Sequence, residues 1–351
     1  MECACKPAGA RRGGPAPSVR AGVDLGGTKI QVVVTAKGAR VVGQARRNTP
    51  LRGGPEVIVR DVVSTVREAA AAAGVDVGEL QSVGVGAPGS IDTTTGTVIQ
   101  VANVAGLDEP FPLGPAVAAE LGVPVALGND VSVAVEAERR YGAGRGYRSF
   151  LGVFWGTGVG GGLVVDGRLL LGRGSAGEIG HVCAKPGGRR CNCGLRGCVE
   201  AYAGRGALEA RARREARKRK TVLFDLMRKR GRDQLTSGVW LRALDAGDLV
   251  ARDLLREAVG ALGVGIGSAV TLLDVEAVIV GGGLGERLGP TWLSRIEQAA
   301  REHTFFRETP VFKLAELGDM GGAIGASMLG SGPRSDPKVQ TYADGPSARM
   351  R

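Results

Sequence analysis

Asp24-Leu25-Gly26-Gly27-Thr28-Lys29 is the stretch on which the reading of this chain turns. The apolar, β-branched runs on either side of it, residues 21–24 and 30–35, have the composition of strands. Gly26-Gly27-Thr28 therefore predicts a tight turn between them. Such a turn lets backbone N–H groups approach phosphate oxygens, and Thr28 adds a hydroxyl donor. Asp24, at the strand end, is a candidate ligand for Mg²⁺, directly or through water. An ordinary hairpin with a strand-end aspartate has the same local appearance. A second copy separates the two readings. Residues 150–155 read as a strand, Gly156-Thr157-Gly158-Val159-Gly160-Gly161-Gly162 as a glycine loop and 163–165 as a further strand. Asp166-Gly167 then follows as a hairpin turn. A strand, a Gly-Thr turn and another strand, used twice, predict two similar α/β domains facing one cleft.

Length and composition bound that reading. The chain has 351 residues, enough for about two domains. Glycine is the outlier, 59 residues with no Gly-X-Y period, and its clustering between apolar strands suggests backbone held close to ligands. No apolar run approaches the roughly 20 residues that span a bilayer, and the first twenty residues lack the apolar core of a secretory signal. Net charge is +11, but residues 205–232 alone carry +9. Arg211, Arg213, Arg214, Arg217, Lys218, Arg219 and Lys220 predict a solvated helix face. The segment has no interleaved aromatics for base stacking, which argues against nucleic acid.

The expected organisation is a tail over 1–19, an N-terminal α/β domain over 20–135, a C-terminal α/β domain over 136–320 and a tail over 331–351. A helix at 321–330 is expected to return to the N-terminal domain. Residues 55–73 have helical spacing, with Val57, Val59, Val62, Val63 and Val66 as inward positions. A strand at 82–86 runs into the turn Ala87-Pro88-Gly89-Ser90. Another at 124–127 ends at Gly128-Asn129-Asp130, and 131–141 is helical. A long helix is expected at 249–273. A strand at 275–280 leads to Gly281-Gly282-Gly283, a third glycine platform suited to a nucleoside. Neither a P-loop nor a Rossmann glycine spacing is present.

The cysteines carry the most specific signal. Cys191, Cys193 and Cys198 fall within eight residues, and His181, one of only two histidines, precedes Cys191 by ten. Three thiolates and one imidazole complete a tetrahedral zinc site, with Cys183 as an alternative fourth ligand. No open coordination position is evident, so the zinc is read as structural. Six cysteines in a chain of this length do not make a secreted disulfide scaffold, and a metal site in a reducing cytoplasm fits better. Glu178 and Glu200 flank the cluster and suit vicinal hydroxyls. Asp130 follows a short strand and opens a helix. It reads either as a helix N-cap or as a base that takes a proton from an attacking hydroxyl. Asn103 reads as a turn residue or a ligand-binding one.

Together these residues resemble the ROK family (repressor, open reading frame, kinase), from about Val23 to Met328. The match lies in Asp24 to Lys29, in Gly-Glu-Ile-Gly-His at 177–181 and in Cys-x-Cys-Gly-x-x-Gly-Cys-x-Glu at 191–200. The resemblance implies an actin-like (ribonuclease H-like) ATPase fold, two α/β domains around a cleft where sugar and ATP meet. It implies a cytoplasmic ATP-dependent sugar kinase acting on a hexose 6-hydroxyl, glucose first. N-acetylmannosamine, N-acetylglucosamine or fructose phosphorylation are the alternatives. A sugar-sensing repressor is disfavoured by the short segment ahead of Asp24. Asp130 would be the catalytic base. Gly89, Asn103, Asn129, Asp130, Glu178, His181 and Glu200 would contact sugar. Asp24, Gly26, Gly27, Thr28, Lys29, Gly156, Thr157, Gly158, Gly281, Gly282 and Gly283 would line the ATP and Mg²⁺ site. The resemblance favours His181 as the fourth zinc ligand with Cys191, Cys193 and Cys198, and implies a homodimer or homotetramer. Two departures stand out. Val131-Ser132-Val133 replaces the family's usual Ala-Asn-Ala after the base, and Leu107 stands where an aromatic is common near Asn103.

Overall fold

The computed structural model describes residues 18–330, apart from 51, 101–105, 108, 306, 307 and 309. Asn103 and most of both expected tails therefore lie outside the described residues. The chain opens with β1 (Val19–Leu25), β2 (Lys29–Ala36) and β3 (Arg40–Asn48), followed by α1 (Gly54–Ala73) and β4 (Leu80–Ala87). A small hairpin, β5 (Ser90–Asp92) and β6 (Thr97–Gln100), precedes α2 (Leu113–Leu121), β7 (Val125–Asn129) and α3 (Asp130–Tyr141). The second half repeats the opening with β8 (Phe150–Trp155), β9 (Val159–Val165) and β10 (Arg168–Leu170). Five helices follow: α4 (Glu200–Ala203), α5 (Arg205–Glu215), α6 (Leu223–Lys229), α7 (Ser237–Asp245) and α8 (Leu249–Leu273). The chain then forms β11 (Ala277–Gly281), α9 (Gly282–Arg301), β12 (Val311–Leu314) and α10 (Gly321–Ser327).

The strand orders are β3-β2-β1-β4-β7 and β10-β9-β8-β11-β12. Each sheet starts with an antiparallel meander and continues with two parallel strands. The two halves thus have the same topology. Parallel strands need crossover connections, which is why helices separate β1 from β4 and β8 from β11.

Local sequence explains most elements. In α1, Ile58, Val62, Val66 and Ala70 recur every four residues and are buried, with Val59 and Val63 beside them. Val57 is only half-buried, one position off that stripe, so Ile58 takes the inward place expected of it. Gly74 ends the helix at φ 71°. The helix α8 is long and apolar enough to cross a membrane, yet it buries Leu254, Leu255, Leu262 and Ile266 in the core of the second half. The basic helix ends at Glu215, so Arg217 to Lys220 form the turn beyond it instead of extending its face.

Glycine has a second use here besides the one expected. Residues 160–162 are not loop: they belong to β9, and only 156–158 form the turn. Side chains added at Gly152, Gly160 or Gly162 would run into Val131 or Val135 of α3. Side chains at Gly22 or Gly84 would collide with the α10 backbone at Ala323 or Ala326. Each helix lies on a glycine track of a sheet, and the tracks are exchanged. Helix α3, which leaves the first sheet, covers β9 of the second; α10, which leaves the second, covers β1 and β4 of the first.

Candidate functional site

The parallel register aligns Asp24 with Gly86, and Gly86 with Gly128. The carboxyl ends of β1, β4 and β7 therefore finish at one level, where ligands of open α/β sheets sit. Asp24 stands on that edge, with Asn129 and Asp130 just past it.

The helix N-cap at this edge is Asn129 and not Asp130. Asn129 Oδ1 accepts from Ser132 N at 2.9 Å, and its Nδ2 donates to Gly89 O at 3.2 Å. Its carboxamide thereby ties the Gly89 turn to α3 and keeps one hydrogen and one lone pair for another partner. Asp130, relieved of capping, is the first helical residue, and among the described residues its side chain accepts one hydrogen bond, from Val131 N to Oδ1 at 2.9 Å. Burial pushes its carboxyl up to about 7, and the neighbouring Asp24 and Glu178 carboxylates push the same way. Burial raises Asp24 as well, to about 6, against the pull of Lys29. Glu178 is raised by burial, with His181 opposing and Glu200 reinforcing. Among the described residues, no donor hydrogen-bonds the side chains of Asp24 or Glu178. Two partly buried carboxylates and the more exposed Glu178 therefore face one another almost without partners, an arrangement that costs free energy unless a ligand or cation shares it.

Glu178 lies on the segment Gly177-Glu178-Ile179-Gly180-His181, pressed along β9. Gly177 has φ 90°, and a side chain there would come 2.7 Å from Gly162 Cα. This close approach brings Glu178 from the second half to Asp130 of the first.

Behind Glu178, the ligand atoms of His181, Cys191, Cys193 and Cys198 all lie within 4.8 Å of one another. Cys193 and Cys198 sulfurs are 3.7 Å apart, and His181 Nδ1 is 3.8 Å from Cys191 Sγ. Sulfurs about 2.3 Å from a tetrahedral zinc are roughly 3.8 Å apart, so these two edges of the cluster already match such a site. Gly197 at φ 86° allows the turn, with its own backbone packed on Lys185 O. Cys183 stays outside: its sulfur faces Arg196 O at 3.8 Å. Glu200, next to the cluster, accepts from Val159 N at 2.9 Å and sits 4.0 Å from Cys191 Sγ. It couples the cluster to β9.

The glycine turns occupy the matching edge of the second sheet. Gly281 pairs with Phe154, so Gly156 and Gly282 emerge side by side. Gly282 and Gly283 form the first turn of α9. Gly282 N donates to Glu286 Oε1 at 3.0 Å. In the first hairpin, Gly26 N bonds Lys29 O at 2.9 Å and Thr28 is exposed. Lys29 reaches across to Asp319, 3.3 Å away, which precedes α10. A cavity of about 350 Å³ lined by Thr35, Arg140, Tyr141 and Ser327 holds none of these groups.

Two residues with evident work escaped sequence reasoning. Glu138 is buried, and its carboxylate accepts from Ala143 N (2.8 Å), Glu316 N (3.2 Å) and Leu317 N (2.9 Å). It latches α3 to the strand that feeds α10. Arg205 places Nη2 2.9 Å from Thr157 Oγ1. Arg205 directly follows Gly204 after the cysteine motif, a local signal. Glu138 has none, since two of its three partners are 178 and 179 residues away.

Two sheets of matching 3-2-1-4-5 order, with carboxylates and glycine turns on facing edges, define the actin-like ATPase fold. The chain belongs to the ROK family, whose model matches residues 20–332. It is 32% identical over 313 residues to a glucokinase of Halalkalibacterium halodurans, covering 88% of this chain and 93% of that one. An N-acetylgalactosamine kinase of Shewanella is 33% identical over 321 residues, covering 89% and 96%. A crystal structure of a ROK glucokinase from Streptomyces griseus in complex with glucose and AMPPNP superposes with a TM-score of 0.78 at 33% identity, covering 89% and 99%.

Proposed function

We propose that this protein is an ATP-dependent glucokinase that phosphorylates the sugar 6-hydroxyl, with Asp130 as general base. The observation that carries the reading is the Asp130 carboxyl: freed from capping by Asn129 and raised to about 7 by burial, Asp24 and Glu178. A base that titrates near neutrality can accept the hydroxyl proton as the oxygen attacks the γ-phosphorus. The similarity to glucokinases, one of them solved with glucose and AMPPNP, supports substrate and donor.

Glu178, Glu200 and His181 offer sugar-hydroxyl partners beside Asp130, with Asn129 and the Gly89 turn on the other side. The turns at Gly26–Thr28, Gly156–Gly158 and Gly281–Gly283 are assigned to the nucleotide. Asp24 has an unpartnered carboxylate at the strand edge and would hold Mg²⁺, which supplies charge neutralisation on the phosphates. The donor set His181, Cys191, Cys193 and Cys198 fits Zn²⁺, with a structural role: it anchors the loop that carries Glu178 and Glu200.

The test is ADP release with Mg-ATP across glucose, mannose, fructose, N-acetylglucosamine, N-acetylgalactosamine and N-acetylmannosamine. Preference for glucose is expected. Preference for an N-acetylhexosamine, the second reading favoured by the Shewanella relative, would keep Asp130 and reassign the pocket. No turnover with any of them refutes the kinase reading.

A further inference from the structure

Arg205 is a cation without a counter-ion among the described residues, beside a glycine turn. It is the first residue of α5, and its side chain turns back to the carboxyl edge of the second sheet instead of joining the basic face of its own helix. Nη2 donates to Thr157 Oγ1 at 2.9 Å, Nη1 to Ser237 Oγ at 3.4 Å, and its backbone N to Gly156 O at 3.2 Å. Both side-chain partners are neutral hydroxyls. Burial holds its pKa below the ordinary arginine value, so the site disfavours the charge it contains.

The surrounding arginines are satisfied differently. Arg211, Arg213, Arg219 and Arg228 each pair with a carboxylate. Arg205 forms no ion pair among the described residues. Glu209, the acid whose charge it senses, is committed elsewhere: Oε1 accepts from Arg213 Nε at 3.0 Å and Oε2 from Leu235 N at 2.8 Å. Of the five guanidinium N–H groups, two are engaged and three remain.

The groups next to it are suited to an anion. Thr157 and the Gly156 backbone lie on one side. On the other are the first residues of α9, a helix broken at Gly289 (φ 69°): a side chain on Gly156 would lie 3.9 Å from Gly283 N, and one on Gly283 3.7 Å from Ser237 Oγ. Backbone N–H groups of glycine turns can approach an anion closely, and a guanidinium fork matches phosphate oxygens better than any other side chain.

We infer that Arg205, with Thr157 and the first turn of α9, binds the phosphate chain of the nucleotide and receives from it the missing counter-charge. The inference rests on the proposed kinase activity and adds a phosphate-binding residue to it. Arg205 is a binding residue here and not a base or acid.

The experiment compares ADP with adenosine by calorimetry on the full chain and on Arg205→Ala and Arg205→Gln. Glutamine can still donate to Thr157 without the charge. ADP affinity should fall about tenfold or more in both variants, while adenosine affinity holds. In turnover assays KM for ATP should rise and KM for sugar should not. Equal weakening of ADP and adenosine would mean that Arg205 merely props the turn, and would overturn the inference. Unchanged ADP affinity in both variants would overturn it as well. If the unaltered protein binds neither ADP nor ATP, the kinase reading itself fails, which the same titrations reveal before any variant is made.

Discussion

Replacing Asp130 with asparagine should make the protein more stable and inactive at once. The carboxyl titrates at about 7 in the folded chain against an ordinary 3.8. The folded state therefore holds a proton that the unfolded chain has lost between roughly pH 4 and 7, and stability falls as pH rises through that window. At pH 8 the full shift corresponds to about 4 kcal/mol of destabilisation. Asp130 is partly open to solvent, and screening there reduces that to roughly 2 kcal/mol. At pH 5 only the interval from 3.8 to 5 counts, and the cost drops below about 1 kcal/mol. Asparagine has the same shape, can still accept from Val131 N and carries no charge. Urea unfolding at pH 8 should show the Asn variant more stable by roughly 2 kcal/mol, with most of the gain gone at pH 5. Its kcat should fall about 10²- to 10⁴-fold, the usual worth of a general base. A variant with near-normal kcat, or with the same stability change at both pH values, would refute the reasoning.

Other consequences can be measured directly. Below pH 7, kcat/KM of the unaltered enzyme should fall about tenfold per pH unit as Asp130 takes up its proton; a flat profile down to pH 5 would exclude it as the base. Cys193→Ser, or a strong chelator, should release zinc and raise KM for sugar more than KM for ATP, because the cluster supports Glu178 and Glu200. Elemental analysis finding no bound zinc in the native protein would contradict this. Glu138→Ala should strand three backbone N–H donors, that of Ala143 buried and those of Glu316 and Leu317 nearer solvent, and cost roughly 2 kcal/mol or more, read as a lowered urea midpoint.

Much of this was readable in the chain itself, for local reasons. Asp24 to Lys29 and Gly156 to Gly158 announce their turns because glycine punctuates a β-branched run, and the repeated topology follows from seeing both. The cysteines and His181 lie within eighteen residues, so their convergence needs little folding. β3 escaped because an edge strand reading Arg-Val-Val-Gly-Gln-Ala-Arg-Arg-Asn exposes half its side chains and lacks a clear apolar run. α9 escaped because Gly289, at φ 69°, and Pro290 interrupt it. The roles of Glu138 and of Gly22, Gly84 and Gly152 were invisible for another reason. Glu138, Gly22 and Gly84 are defined by backbone that arrives from the far end of the chain, and Gly152 by the Val135 side chain of a helix on the other half, so no local pattern shows either partner.

The exchange of α3 and α10 has a consequence for dissecting the molecule. Cutting the chain in the 142–149 connection would yield two pieces of sensible length, each with a complete five-stranded sheet. Neither piece would own the lid for its glycine track. The first would expose Gly22 and Gly84 and leave the Val131 and Val135 face of α3 without the β9 track it covers, and the second would have the reverse defect. The repeat visible in the topology is therefore not a pair of separable modules. It is a mutual graft, and the two fragments should recover a native fold only when mixed.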